Sequence, residues 1–285
     1  MEIAEIALQE PDELLYHYTS IDSFASIIGS SQLWASHIRF LNDTSEQRLM
    51  WDHARARIEA RIRTADDSDR NRLLPFQSLT SSPLELDDYV LCFSKDGGDN
   101  LSQWRGYGGS AGVAIGIDAE ELKKKCSGFT TAQSRNQPHK MGWALLHAVH
   151  YVDPSGDEFS KQLIDSLVDN PEATEREDWL TEREVFRRRV SLIASSLEHK
   201  AFSDEREWRI SILQLREDFI RFRTRKSMMI PYVPFDLGHG RQEWPLIRRI
   251  VAGPSQHQAE TIAAIKKMLD DRVVVEGSSI PYRDW

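Results

Sequence analysis

Cysteine is almost missing from the sequence: Cys92 and Cys126 are the only two in 285 residues. Two thiols cannot staple a chain of this length, and they fit a reducing compartment better than a disulfide framework. The cytoplasm is therefore the expected location. Long apolar runs are missing too; none approaches the roughly 18 residues of a membrane-spanning helix. The opening "MEIAEIALQEPDELL" is acidic where an export signal would be basic and then apolar. A protein neither embedded nor exported is predicted. Positive charge is in deficit, 36 Lys and Arg against 45 Asp and Glu. The net charge of -9 argues against a surface built to coat nucleic-acid phosphates, although a local basic patch stays open. No Cys/His quartet with zinc spacing exists, and His147 and His150 in "HAVH" would point to opposite faces of one strand. Repeats and low-complexity linkers are also lacking.

What is present is an ordinary core-forming composition, 40% hydrophobic and 28% charged. Leu14 to Thr19 alternates in the strand period, with Leu15, His17 and Thr19 on one face and Leu14, Tyr16 and Tyr18 on the other. Asp22 is a candidate cap for a helix from Ser23 to Gly29. Thr44 with Gln47 resembles a capping box before a helix from Ser45 to Arg63, whose Met50, Ala54, Ile58 and Ile62 form one apolar stripe. Thr64 to Asp88 reads as a loop. "YVLCFS" (Tyr89–Ser94) is the clearest strand, followed by the turn cluster "KDGGDN" and by "LSQWRGYGG" leading into the strand "AGVAIGID". After a flexible segment from Ser127 to His139, Lys140 to Asp153 reads as extended. Glu158–Val168 and Trp179–His199 read as helices, "REWRISIL" and "LIRRIVAGP" as strands, Gln256–Asp271 as a helix and "VVVEGSSIPYR" as a last strand. Short strands alternating irregularly with helices predict a mixed α+β fold with a largely antiparallel sheet. The whole of 1–285 reads as one domain with helical insertions at about 45–63 and about 157–199.

Two segments invite chemistry. The glycines of "RGYGGSAGVAIG" precede a strand, whereas a dinucleotide fingerprint follows one, so they read as turn formers, with Tyr107 either a stacking platform or an anchor. In "FSDEREWRISIL" a continuous strand would put Glu205, Glu207, Arg209 and Ser211 on one face and Trp208, Ile210 and Ile212 on the other. From periodicity alone that polar face is equally a solvated one. Read as chemistry, one carboxylate can stabilise an oxocarbenium-like transition state while a second orients the incoming nucleophile. His17, Thr19 and Ser94 are, on pattern alone, ordinary strand residues.

The segments "LYHYTS", "FLNDTSE", "VLCFSKDGGDNLSQWRGYG", "AGVAIGID", "FSDEREWRI" and "IVAGP" together resemble the bacterial family called domain of unknown function 2971. More distantly, "YHYTSIDSFASIIGSSQLWAS" is similar to the opening of ADP-ribosyltransferase folds, including DNA-modifying toxins. That second resemblance implies an ADP-ribosyltransferase-like fold and an enzyme that cleaves NAD, its substrate, and passes ADP-ribose to a protein, a nucleic acid or water. It implies Glu207 as the catalytic glutamate and Glu205 as the first acid of a Glu-x-Glu pair. His17, with Tyr18 and Thr19 of the same motif, would bind NAD, and Ser94 or Tyr107 would take the central position. "CFSK" departs from the Ser-x-Ser of the arginine-modifying branch. The setting implied is a toxin or an antiviral defence system, with no metal. The alternatives are a non-catalytic nucleotide-sensing or interaction domain and a metal-dependent nuclease, for which a further acid beside the two glutamates is wanting. The acceptor and the oligomeric state are not legible.

Overall fold

The period-two pattern of "LLYHYTS" does form a strand, and in the computed structural model it is β1 (Leu14–Ser20). The structure describes residues 13–41, 45–81, 88–109, 111–132, 143–153, 158–169, 189–190, 193–213, 219–225, 227–238, 246–269 and 273–281. β1 pairs antiparallel along its whole length with β4 (Gly112–Asp118). β4 in turn pairs with β11 (Ile247–Ala252), which carries β12 (Val274–Gly277) in parallel. A second block is built on β3 (Tyr89–Ser94), which pairs with β8 (Glu207–Leu213), and β8 pairs with β5 (Trp143–Ala148).

The other edge of β3 is shared. β1 meets it only at Tyr16↔Ser94, and β2 (Gln32–His37) at Ser36↔Val90 and His37↔Tyr89. β2 leads on to β10 (Met228–Asp236) and the edge strand β9 (Arg221–Arg225). These ten strands make one mostly antiparallel sheet that splits where β1 and β2 part from β3. At the split, the carbonyl of Cys92 accepts a hydrogen bond from His17 Nδ1 at 2.9 Å, so an imidazole stands where a neighbouring strand would otherwise be.

One face of the sheet carries the main core: Leu15, Leu91, Phe93, Ile115, Trp208, Ile210 and Phe235 under helices α1 (Ile21–Ser30), α4 (Ala119–Ala132) and α6 (Gln258–Met268). The helix α1 is capped by Ser20, whose Oγ accepts from Ser23 N, rather than by Asp22, because the chain turns helical directly after the strand. On the opposite face, Tyr16, Tyr18 and Trp104 form a smaller cluster with Ala114 and Val251. Tyr16 fits there because Gly98 and Gly116 have no side chain; a Cβ on either would come within 2.4 and 2.8 Å of its ring.

The helical insertions share one core. α2 (Ser45–Thr64), α3 (Asp67–Ser81) and α5 (Glu158–Asp169) bury Trp51, Ala54, Ile58, Leu73, Phe76, Ile164 and Val168 together with Val190, Ile193 and Leu197. Arg57 and Arg61 of α2 bridge to Asp165 and Asp169 of α5, and Arg72 of α3 joins at Asp169. Half-exposed pairs of this kind contribute little singly, so the apolar contacts hold the unit.

Several expectations need correction. Thr64–Asp88 is not all loop, because its polar residues are the outer face of α3, and Leu73 and Phe76 are its buried stripe. The helix expected to His199 stops early, and Leu197–His199 is a strand, β7, pairing in parallel with β6 (His150–Val152). His147 and His150 accordingly lie on two strands, not one. Ser127 to Ala132 continues α4 rather than being a flexible linker. Glu205 is off the strand: Lys200–Glu205 is a 3₁₀ turn and β8 begins at Glu207. Strands β9 and β10 were not expected at all. Thr44 of the capping box lies outside the described residues.

Trp208 is 4% exposed, between Phe93 and Ala148 in the register of β3, β8 and β5. Trp208→Ala is expected to cost about 3–5 kcal/mol, as deletion of a large core aromatic does. A melting curve superimposable on that of the parent would show that this face of β8 is not core.

Candidate functional site

β8 is buried on both faces, which the alternation of polar residues did not predict. The reason is the layer above it. Arg209 is 2% exposed and bonds in three directions: Nε and Nη2 donate to the two oxygens of Glu207 at 3.0 and 2.7 Å, Nη2 also to Glu198 at 3.0 Å, and Nη1 to the carbonyl of Ser195 at 3.0 Å. Ser195 and Glu198 belong to the segment that closes the helical unit, so one guanidinium ties that unit to the sheet. Beside it Ser211 bonds Ser195 through their hydroxyls at 2.9 Å, and His147 Nε2 lies 2.8 Å from Ser211 Oγ.

Glu205 joins the cluster from its turn. Arg206 adopts a left-handed conformation, φ 46 and ψ 49, which costs a non-glycine residue about 1–2 kcal/mol. On a straight strand the two glutamates would be spaced along one face; the reversal at Arg206 instead lets one oxygen each of Glu198, Glu205 and Glu207 lie within 4.8 Å of one another. The turn is held by Ser94, whose Oγ donates to the Glu205 carbonyl at 2.5 Å, and by Lys95 N, which donates to Arg206 O at 3.0 Å. Glu207 N donates to the Tyr151 hydroxyl at 2.8 Å.

Burial works to raise the Glu207 carboxyl, but the charge and hydrogen bonds of Arg209, with bonds from Glu198 and Cys92, outweigh it and hold the group below the usual carboxylate range. Tyr107 is 38% exposed, and its hydroxyl is pushed up by burial and by its electrostatic interaction with Cys92, Glu205, Glu207 and Glu198. Tyr151 is raised by burial and the same acids. By spacing, the three carboxylates form a group able to take a divalent cation, yet Arg209 already supplies positive charge to two of them.

The expected site residues distribute as follows. Glu205 and Glu207 come together, and Tyr107 is within reach of their charge. Ser94 lies opposite Glu207 in the register and serves the turn. His17 leaves β1 on the main-core face, beside Phe93 with ring centroids 5.9 Å apart, and reaches the cluster only through Cys92, whose carbonyl it binds and whose thiol bonds Glu207. Tyr18 is spoken for: its hydroxyl donates to Asp96 and accepts from Asn100 N. Thr19 pairs with Val113 of β4. Glu198, Tyr151 and the part played by Cys92 were missed. Glu198 was hidden in what read as a charged helix, and only the pairing of β6 with β7 reveals it. Cys92 stands opposite Arg209 in the register of β3 and β8, a pairing that neither segment fixes by itself.

Residues 103–210 match the family model described as "Protein of unknown function (DUF2971)". That stretch runs from Gln103 through β4, β5 and the carboxylate turn to Ile210, so the match includes Tyr107, Glu198, Glu205, Glu207 and Arg209. No curated protein and no solved structure matches the chain. No helix among the described residues is long and apolar enough to cross a membrane.

Removing Arg209 should expose its role. Arg209→Leu leaves two buried carboxylates without their cation and is expected to cost about 3–5 kcal/mol; replacing Glu198 and Glu207 by leucine as well should recover most of that loss in denaturant midpoint. No recovery in the triple variant would mean that the ion cluster is not what Arg209 compensates.

His147 gives a pH test. Burial, with a smaller push from Arg209, takes its imidazole from 6.5 down to about 4. The unfolded chain binds a proton at this group below pH 6.5 and the folded chain resists it, so the stability it contributes is lost as pH falls from 6.5 towards 4. Between pH 7 and 5 the loss is expected to be about 2 kcal/mol. His147→Gln should flatten that part of the profile; an unchanged slope would exclude His147 as its source.

Proposed function

We propose that the protein is an ADP-ribosyltransferase-like enzyme that cleaves the bond between nicotinamide and ribose in NAD. The observation that carries this reading is the pairing of two carboxylates of different character across one strained residue, Arg206. Non-glycine residues in the left-handed region persist where surrounding contacts over-determine them, often at functional sites. Here the result is a fixed, ionised Glu207 beneath a half-buried Glu205.

The chemistry asked of each follows from its surroundings. Glu207 is rigid, so its charge costs no reorganisation when positive charge develops on the ribose ring. Glu205 sits on the turn, where it can orient an acceptor hydroxyl or water. Tyr107 offers a partly exposed ring on which a nicotinamide can stack.

A second reading, a divalent-cation site for phosphodiester cleavage, gains from Glu198, the further acid that the sequence did not show. It loses because the guanidinium of Arg209 lies between Glu198 and Glu207.

Purified protein incubated with NAD is expected to release nicotinamide, without sensitivity to a chelator. Glu207→Gln should lower release about 10²-fold or more, the scale of removing one preorganised electrostatic partner. Glu205→Gln should lower transfer to an acceptor more than hydrolysis. Melting temperatures read alongside separate lost chemistry from lost fold. Equal turnover by the parent and a folded Glu207→Gln variant would sink this role, and chelator-sensitive cleavage of a nucleic acid would favour the second reading.

A further inference from the structure

The face of β2, β10 and β9 away from the main core carries a surface unlike the rest of this acidic chain. The register sets Ser36 opposite Tyr232, and Tyr232 opposite Arg221 on the edge strand, with Trp34 one step along the same face of β2. Trp34 and Tyr232 lie against each other, ring centroids 4.8 Å apart with the planes tilted by 34°. The Arg223 guanidinium stands 5.6 Å over the Trp34 ring and donates to Ser36 Oγ at 2.7 Å. Trp34 is 37% exposed for so large a side chain, Met228 at the opposite end of β10 is 52% exposed, and Arg221 is exposed. Among the described residues of these three strands the one carboxylate on this face is Asp236, at the Trp34 end of β10, where it is held by a hydrogen bond from Gly238 N.

We propose that this face binds single-stranded nucleic acid. Aromatic rings presented from a sheet, with arginines between them, give unpaired bases a surface to stack on and give the phosphates cations to approach. A duplex keeps its bases stacked inward and would leave the rings unused. An acidic peptide would use the arginines alone. The net charge of -9 opposes a polyanion over the chain as a whole, so a local cluster of arginines and rings is what would hold one. The inference stands on the surface itself and does not depend on NAD cleavage; where both hold, it names a polynucleotide as the acceptor.

The test is fluorescence anisotropy with labelled mixed-sequence 12-nucleotide DNA and RNA single strands, the matching duplex, and a poly-glutamate peptide of the same length. Single strands should bind, quench tryptophan fluorescence, and weaken roughly sevenfold between about 50 and about 200 mM salt for two phosphate contacts. Trp34→Ala should weaken binding about tenfold or more, as loss of a base-stacking ring does. Arg221→Glu, an exposed change on an edge strand, should weaken it while leaving the melting temperature unchanged. The proposal is overturned by no binding, by binding that ignores both variants, or by equal capture of poly-glutamate. It is equally overturned if Arg221→Glu produces only aggregation with no oligonucleotide bound by the parent, the sign that the arginines merely blunt a sheet edge. None of these readouts involves nicotinamide release, so this surface and the carboxylate cluster fail or stand separately.

Discussion

A guanidinium with almost no contact with water, Arg209, is the constraint on which the middle of the molecule depends. It faces Glu207 on its own strand, Glu198 on β7 and the Ser195 carbonyl, so three segments must be in place before its charge is satisfied. Burying an ion is expensive, and pairing in a dry interior repays the cost only when the geometry is complete. The consequence is specificity of docking: the helical unit built from α2, α3 and α5 cannot slide on the sheet without stranding the guanidinium, the carboxylates or both. A purely apolar contact between the same layers would tolerate such a slip.

That clamp also decides what the neighbouring carboxylates can do. Glu207 spends both oxygens on Arg209, which keeps it ionised and fixed but leaves it a weak proton acceptor. Glu205 belongs to a turn set by the left-handed Arg206 and by Ser94 beneath it, whose hydroxyl holds its backbone carbonyl. Two acids two residues apart thus have unlike environments, and unlike environments are what let a pair of carboxyl groups take unlike roles.

Much of this was legible from local pattern. The strands "YVLCFS", "GVAIGI" and "EWRISIL" were all found, because buried β-structure is written in runs of apolar and β-branched residues. The helix from Ser45 and the helix from Glu158 were found from their stripes. What failed was non-local. Arg209 and Ser211 looked like a solvent face because nothing in their own segment says that residues 193–198 will cover them. Glu205 looked like a strand residue because the reversal at Arg206 is imposed by bonds from β3, over a hundred positions away in the case of Ser94. β9 and β10 escaped because alternating arginines and a proline at Pro231 mask a strand that sits near a sheet edge. His17, a site residue by its motif, holds a backbone carbonyl at the split in the sheet, a bond that the sequence does not announce.

The split itself connects these features. β1 and β2 lie along one edge of β3 and cannot both pair with its centre, so Cys92 is left with an edge that His17 closes from one face and a thiol that Glu207 takes on the other. A single residue therefore couples the position of the first strand to the carboxylate cluster. Arg223 of strand β9 bonds Ser36, which stands opposite Val90 of β3, whereas Glu207 and Arg209 lie along the other edge of β3. The acidic cluster and the basic strip thus flank the same strand, with opposite signs on its two sides. A polyanion drawn to the arginines would be kept off the glutamates until it supplied an uncharged hydroxyl or base edge, the kind of group that a carboxylate can orient for attack.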